Sequence, residues 1–328
     1  MGKNIRVYVK TPARLHLGII DLNGDLGRMF GGLGVAIDHP NLVLEAQESQ
    51  TLTVQGEKKE LTRDIAARFL KAYKLKENVA IEVKQVIPEH VGLGSGTQLA
   101  MAVAASISRL FDVKTSPYEW AAVLGRTAQS GVGTGVFVHG GLVVEAGKNT
   151  KNPDCKTIPV ICRQPFPVEW RFVVAIPATK KGLAKEAETA AFKNLPTMPT
   201  EEVGKICRLI MMSFLPAIAE KDIKDFGKAL TQIQNIVGDS FKQAQGGRFS
   251  SSPASETIRF MLENGVFGAG QSSWGPSVYG VVRSGEAEAI RAKTQAFLDG
   301  NVGGNVFVAK ARNRGAIIRV YRSETKNL

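Results

Sequence analysis

Apolar and polar residues alternate at the start of the chain. Ile5, Val7 and Val9 alternate with Arg6, Tyr8 and Lys10, and this two-residue period predicts an opening β-strand. Further short strands are expected over 41–46 and 52–54. Leu61, Ile65, Phe69, Ala72 and Tyr73 recur at helical spacing, which predicts an amphipathic helix over 60–75. Val79 to Lys84 alternates again, so a strand is expected over 79–87, followed by a glycine-rich loop and a buried apolar helix over 97–111. Ser116-Pro117 opens a helix over 117–130, with proline at a tolerated early position. A second glycine-rich run, Ser130 to Gly141, leads into a strand at Leu142–Glu145.

Residues 147–168 are rich in lysine, proline and asparagine and show no period. The domain boundary is placed there, dividing the chain into 1–160 and 161–328. Beyond it, Trp170–Ile176 is an apolar strand and helical patterns continue to about 245. A helix over 254–264 stops at Gly265, as helices often do. A glycine-serine loop follows over 268–276. A strand over 278–282, a helix over 286–299 stopped by Gly300, and a last strand over 317–321 complete the reading.

Composition narrows the function. The chain has 328 residues, 44% of them hydrophobic, and a net charge of +12. That is enough for a large core and two domains, and the charge favours anionic partners. No block of five or more Lys/Arg occurs, and no aromatic RNA-binding pattern, so no nucleic-acid partner is expected. Cys155, Cys162 and Cys207 are odd in number and lack metal-type spacing, which points to reduced thiols in a cytoplasmic protein. Neither a signal peptide's apolar region nor a run of membrane-spanning length is present, and no membrane partner is expected. His16, His39, His90 and His139 lie far apart; each reads as a structural hydrogen-bonder rather than a metal ligand.

The most informative stretch is Pro88 to Gln98 (Pro-Glu-His-Val-Gly-Leu-Gly-Ser-Gly-Thr-Gln). Gly92, Gly94 and Gly96 let the backbone turn tightly and present N–H groups. Ser95 and Thr97 add hydroxyls, Gln98 an amide, and the following helix aims its positive end at the loop. This suits a phosphate or pyrophosphate. The loop matches neither the P-loop, for it has no lysine, nor the dinucleotide fingerprint, for Thr97 stands where glycine or alanine belongs. A tight turn packed against a helix is the alternative.

Three glycine motifs occur in order: Thr11-Pro12-Ala13-Arg14-Leu15-His16-Leu17-Gly18 after the first strand, Gly92 to Gln98, and Gly268-Ala269-Gly270-Gln271-Ser272-Ser273-Trp274-Gly275. Their order and spacing resemble the GHMP kinase superfamily over nearly the whole chain. The resemblance implies an α+β fold. Its N-terminal domain would be like domain 2 of ribosomal protein S5, its C-terminal domain ferredoxin-like, with the site between them. One departure matters. In the run Ser130-Gly131-Val132-Gly133-Thr134, glycine stands where many of these kinases carry a catalytic aspartate. No Asp or Glu occurs from Arg126 through Leu142. Some members manage without this acid, so an ATP-dependent small-molecule kinase remains the alternative.

One branch of the superfamily is not a kinase: the β-ribofuranosylaminobenzene 5′-phosphate synthases of tetrahydromethanopterin biosynthesis. The chain resembles them at 11–18, at Ile20-Asp21-Leu22-Asn23-Gly24, at Arg28 to Gly34, at Gly92 to Gln98, at Gly131 to Gly141 and at Gly270 to Pro276. The resemblance implies condensation of 5-phosphoribosyl 1-pyrophosphate with 4-aminobenzoate or 4-hydroxybenzoate, with loss of CO₂ and pyrophosphate. The polyanionic donor agrees with the basic chain. Backbone donors at Gly94 to Thr97 and Mg²⁺ held mainly by substrate oxygens would stabilise the leaving pyrophosphate.

Arg14, Arg28 and Arg126 flank these motifs as candidate guanidinium forks for carboxylate or phosphate; salt bridging is the alternative for each. Asp21 and Asp25 could approach Mg²⁺ or the ribosyl cation, with turn capping around Asn23-Gly24 as the other reading, chiefly for Asp25. Ser130, Gly131, Gly133 and Thr134, with Gly270, Gln271, Ser272 and Ser273, would bind phosphate or substrate beside the central loop, and Trp274 either faces the aromatic acid or belongs to the core. A homodimer is the expected assembly.

Overall fold

The computed structural model describes residues 4–76, 78–127, 129–152, 154–179, 190–192 and 194–323. Two long strands dominate the first half, β1 (Asn4–Asp21) and β2 (Arg28–Glu48). They pair antiparallel from Arg6↔Gln47 to Asp21↔Phe30, with register shifts at Pro12/Ala13 and His16/Gly18. The first glycine motif therefore lies inside a strand rather than after one. Its irregularities are bulges of the kind that bend a strand and re-aim side chains. Likewise, Arg28 to Gly34 is the start of β2.

The first sheet runs β12 (Ile317–Ser323), β1, β2, β4 (Val79–Gln85), β3 (Thr53–Gly56). β5 (Leu142–Glu145) pairs with β2, and β7 (Val160–Gln164) pairs with β5. A division at residue 160 passes through β7, and the last strand returns to the first sheet. α1 (Lys59–Ala72) packs on α2 (Ser95–Leu110). α2 is buried on almost every residue from Gln98 to Leu110. Its alanine- and serine-rich sequence makes this possible, since small side chains let neighbours approach on all sides.

Two helices stand where one and a glycine loop were expected. α3 (Pro117–Val123) ends early. Val132–His139 forms α4 despite glycines at 133 and 135. Glycine weakens a helix by about 1 kcal/mol each, but contact requires it here. A Cβ at Gly133 would lie 2.8 Å from Thr97 Cγ2, and one at Gly135 would lie 2.6 Å from Val143 Cγ1.

The second sheet is antiparallel, in the order β11 (Gly304–Ala309), β8 (Trp170–Pro177), β10 (Val278–Arg283), β9 (Gly268–Gln271). β11 was not anticipated, because its pair of N-terminal polar residues hides the alternation. Half of the expected 268–276 loop is β9. After α5 (Thr200–Leu209) and α6 (Leu215–Glu220), three helices pack on this sheet: α7 (Ile223–Gln245), α8 (Ser252–Glu263) and α9 (Ala287–Asp299). No helix among the described residues is long and apolar enough to cross a membrane.

The seat of α7 on β9 is a glycine-to-glycine contact. A Cβ at Gly227 would lie 2.1 Å from Phe267 O, and one at Gly268 would lie 2.2 Å from Gly227 O. Both obstacles are backbone and cannot rotate away. Gly227→Ala is therefore expected to cost about 1–3 kcal/mol by overpacking, read as a lower denaturation midpoint. An unchanged midpoint would show that α7 can shift without loss.

Candidate functional site

The loop at 91–94 is held by the two flanking motifs. Gly94 precedes α2 in a left-handed conformation, φ 80°, with no side-chain cap. The first intrahelical bond there is Gln98 N–H to Gly94 O, 3.1 Å. The N–H groups of Ser95, Gly96 and Thr97 therefore lack the partner that a preceding turn would supply. From β1, Arg14 donates through Nη1 to Gly92 O and through its backbone N–H to Leu93 O. Its side chain fills the space beside Gly94, where a Cβ would lie 3.0 Å from Arg14 Cγ.

From the other lobe, the buried Ser272 donates its hydroxyl to Gly92 O at 2.7 Å and accepts the His16 N–H at 2.9 Å. A Cβ at Gly92 would lie 2.2 Å from Ser272 O. The packing is so close that only glycine serves. Ser277 N–H to Val91 O, 3.3 Å, fixes the far side of the turn.

Arg126 supplies charge at the same helix start. A Cβ at Gly96 would lie 3.3 Å from Arg126 Nη1. Its Nε is buried and has no partner among the described residues. Burial, and then the like charge of Arg68, push the guanidinium below its usual range. Helix amides and a guanidinium with no carboxylate partner among the described residues together favour an anion.

A cleft of about 90 Å³ opens between the lobes; Arg14 reaches it, while residues 92–98 and Arg126 are not part of its lining. Arg14, His16 and Ser130 line it from the first lobe, and Gln234, Gln271, Ser273 and Trp274 from the second. Gln234 on α7 joins the lobes: it donates to Leu17 O and accepts from Gln271 N–H, both at 2.8 Å. Gln271 donates to Ser273 O, 2.9 Å, and accepts from Ser250 N–H, 2.7 Å.

Behind the cleft lies a buried polar chain. Gly18 N–H points at His16 Nδ1, 3.4 Å, and His16 Nε2 faces Ser130 Oγ, 3.4 Å. Ser130 in turn donates to Glu145 Oε1, 3.2 Å. Glu145 is fully buried at the end of β5 and also accepts from Gly131 N–H at 3.0 Å and Gly147 N–H at 2.6 Å. Burial raises its pKa, against those hydrogen bonds and the charge of Arg28. Burial, with Arg14 adding to it, lowers His16 to about 3. The ring is neutral at neutral pH.

Two expected site residues are placed elsewhere. Asp21 Oδ1 accepts from Asn23 and Gly24 N–H at 2.6 and 2.9 Å, so it caps the turn that was assigned to Asp25. Arg28 clamps backbone, donating to Ala146 O at 2.8 Å and Gly147 O at 3.0 Å. Neither lines the cleft. Gln98 also turns inward, donating to Gly133 O at 2.8 Å, and Thr134 is buried on α4 with its hydroxyl unpartnered among the described residues. His16, Glu145 and Gln234 were missed. Their signals were faint: a histidine inside the first motif, an acid closing the apolar run Leu142–Val144, and a glutamine interrupting the Phe226, Leu230, Phe241 face of a helix.

His16 gives a pH signature. Above about pH 6.5 the ring is neutral whether the chain is folded or not, and its full contribution to stability is present. As pH falls towards 3, the unfolded chain takes a proton that the folded ring refuses. Stability should then drop by up to about 1.4 kcal/mol per pH unit. Glu145, with its raised pKa, works in the opposite direction by taking up a proton first in the folded state. Denaturation at pH 7, 5.5 and 4.5 should show a shallower fall in His16→Asn than in the unmutated chain. Equal slopes would remove the ring as the cause.

Comparison with known proteins bears on this arrangement. The family model for the GHMP kinases N terminal domain matches residues 60–141, and that for GHMP kinases C terminal matches 214–300. β-Ribofuranosylphenol 5′-phosphate synthase of Archaeoglobus fulgidus is 38% identical, over 95% of this chain and 99% of that protein. The protein of the same name from Methanothermobacter thermautotrophicus is 33% identical, over 96% and 99%. Mevalonate diphosphate decarboxylase of Staphylococcus aureus shares the fold, with a TM-score of 0.68 at 14% identity over 96% of this chain and 98% of that one. The two-lobed α+β architecture is thus that of the GHMP kinases, and the chain belongs to the β-ribofuranosylphenol 5′-phosphate synthase family within that superfamily.

Proposed function

We propose that the protein is a decarboxylating phosphoribosyltransferase that joins 5-phosphoribosyl 1-pyrophosphate to a para-substituted benzoate. The relatives are named for a ribosylated phenol, which favours 4-hydroxybenzoate over 4-aminobenzoate as acceptor. The observation that carries the reading is an anion cradle with no acid where a kinase needs one. Open N–H groups at Ser95 to Thr97 and the Arg126 guanidinium gather at the start of α2. Gly133, the position of the kinase aspartate, is packed 2.8 Å from Thr97 at its would-be Cβ, so a carboxylate has no room there.

The bond from ribose C1′ to oxygen breaks with its electron pair going to pyrophosphate. The helix amides, Arg126 and Arg14 are preorganised to receive that charge, and such donors are worth most where charge develops. The ring carbon bearing the carboxylate then supplies a π pair to C1′. The bond to the carboxylate breaks, its pair restores aromaticity, and CO₂ leaves. No proton is transferred and no enzymic nucleophile takes part. The neutral His16 adds no positive charge beside a cationic ribosyl centre.

Among the described residues no group of three His, Cys, Asp or Glu side chains could hold a metal. We infer that Mg²⁺ would be held mainly by substrate oxygens, where it would neutralise pyrophosphate charge. Asp21 is committed to its turn. The protein acts on small molecules, and we infer a cytoplasmic location and a homodimer as its setting.

An assay of labelled carboxyl carbon tests the reaction: CO₂ and pyrophosphate should appear one to one, faster with 4-hydroxybenzoate than with 4-aminobenzoate. ADP release from ATP with an alcohol acceptor, and no pyrophosphate release, would establish the kinase instead. Arg126→Ala should raise KM for phosphoribosyl pyrophosphate about ten- to a hundredfold, the worth of a charge-assisted hydrogen bond. Its Tm should hold or rise, because the variant loses a half-buried cation. A large fall in Tm with an unchanged KM would make Arg126 a structural residue.

A further inference from the structure

Three aromatic rings form one wall of the cleft. Phe192 meets Trp274 at 5.4 Å between ring centroids and 82° between planes, and meets Phe241 at 5.7 Å and 85°. Phe241 and Trp274 close the triangle at 4.8 Å and 76°. All three line the empty space that Arg14, His16 and Ser130 face from the other lobe. Such a trio is ordinary inside a core. Here Phe192, which also meets Phe30 at 5.4 Å, is only half-buried, and the group borders a cavity although Phe241 and Trp274 are themselves buried. An edge-to-face trio leaves a corner in which a further flat ring finds both a face and an edge, the arrangement that aromatic quadrupoles prefer.

The polar groups are distributed accordingly. The cationic groups Arg14 and Arg126 and the open helix amides stand at the glycine loop. The aromatic wall belongs to the second lobe, with the carboxamides of Gln245 and Gln271 next to it, joined to each other at 3.4 Å, and with Arg248, which is paired with Asp239 at 2.8 Å, in the same lining. A phosphorylated sugar suits the first side. An aromatic ring with a polar substituent at each end suits the second, with the rings against it and the amides within the same pocket for the substituent away from the ribose.

We infer that Phe192, Phe241 and Trp274 form the binding site of the aromatic acceptor and set its specificity for a benzoate-sized ring. This rests on the reaction proposed above. The acceptor thus lies on the second-lobe wall of the cleft that Arg14 enters from the first lobe.

The test is Phe192→Ala, chosen because its side chain is half-buried and its loss least endangers the fold. KM for 4-hydroxybenzoate should rise about tenfold, in keeping with an aromatic contact plus its lost area. KM for phosphoribosyl pyrophosphate should stay within about twofold of its original value by the same scale. Unchanged KM for the benzoate in the folded variant, or an equal rise for both substrates, overturns the inference. A second readout needs no turnover. Addition of 4-hydroxybenzoate should change tryptophan fluorescence, and Trp274→Phe should abolish the change although Trp120 and Trp170 remain. A change that persists in Trp274→Phe places the acceptor elsewhere. If the unmutated protein fails to convert the substrate pair but the fluorescence response follows Trp274 and weakens in Phe192→Ala, the proposed reaction fails while the aromatic site stands.

Discussion

The hydroxyl of Ser272 ties the site together. It gives its proton to Gly92 O and takes one from His16 N–H, so a single oxygen joins all three glycine motifs. The side chain is fully buried, and losing it would leave a carbonyl and an amide to find other partners away from water. Because Ser272 belongs to the second lobe and Gly92 to the first, the shape of the glycine turn depends on how the lobes meet.

That meeting is fixed by contacts without tolerance. Gln234 bridges Leu17 and Gln271 through both ends of its amide. It is carried by a helix whose Gly227 touches the backbone at Phe267. A shift of either lobe would break several of these bonds at once, which makes the arrangement cooperative. It also explains why the first motif lies in a bulged strand: the irregularity at His16/Gly18 lets neighbouring residues face the cleft and the other lobe together.

Charge is organised by position rather than by amount. Arg126 stands at the loop, whereas Glu145, the one fully buried acid among the described residues, lies behind Ser130 and is covered by two backbone N–H groups. His16 is held neutral by burial. The cleft is thus lined by Arg14 and the neutral His16 from one lobe and by Phe241, Trp274 and the Asp239-paired Arg248 from the other.

Much of this was legible in the sequence. Period-two alternation marked β1 and β4, helical spacing marked α1, and the order of three glycine motifs carried the family. The glycine at position 133 already spoke against a kinase. These signals are local or ordered along the chain, so they survive without coordinates. The sequence by itself could not say that Ser130 to Gly141 contains a helix, because glycine's low helix propensity is overruled only by the contacts with Thr97 and Val143. Nor could it separate Arg14 and Arg126 at the loop from Arg28, which clamps backbone, since all three sit beside motifs of the same kind. Phe192, Phe241 and Trp274 lie far apart along the chain, and only the tertiary structure brings their rings together. Which residues form a motif is written in the chain; which motifs share a cleft is decided by packing across the two lobes, where distances of a few tenths of an ångström select one arrangement.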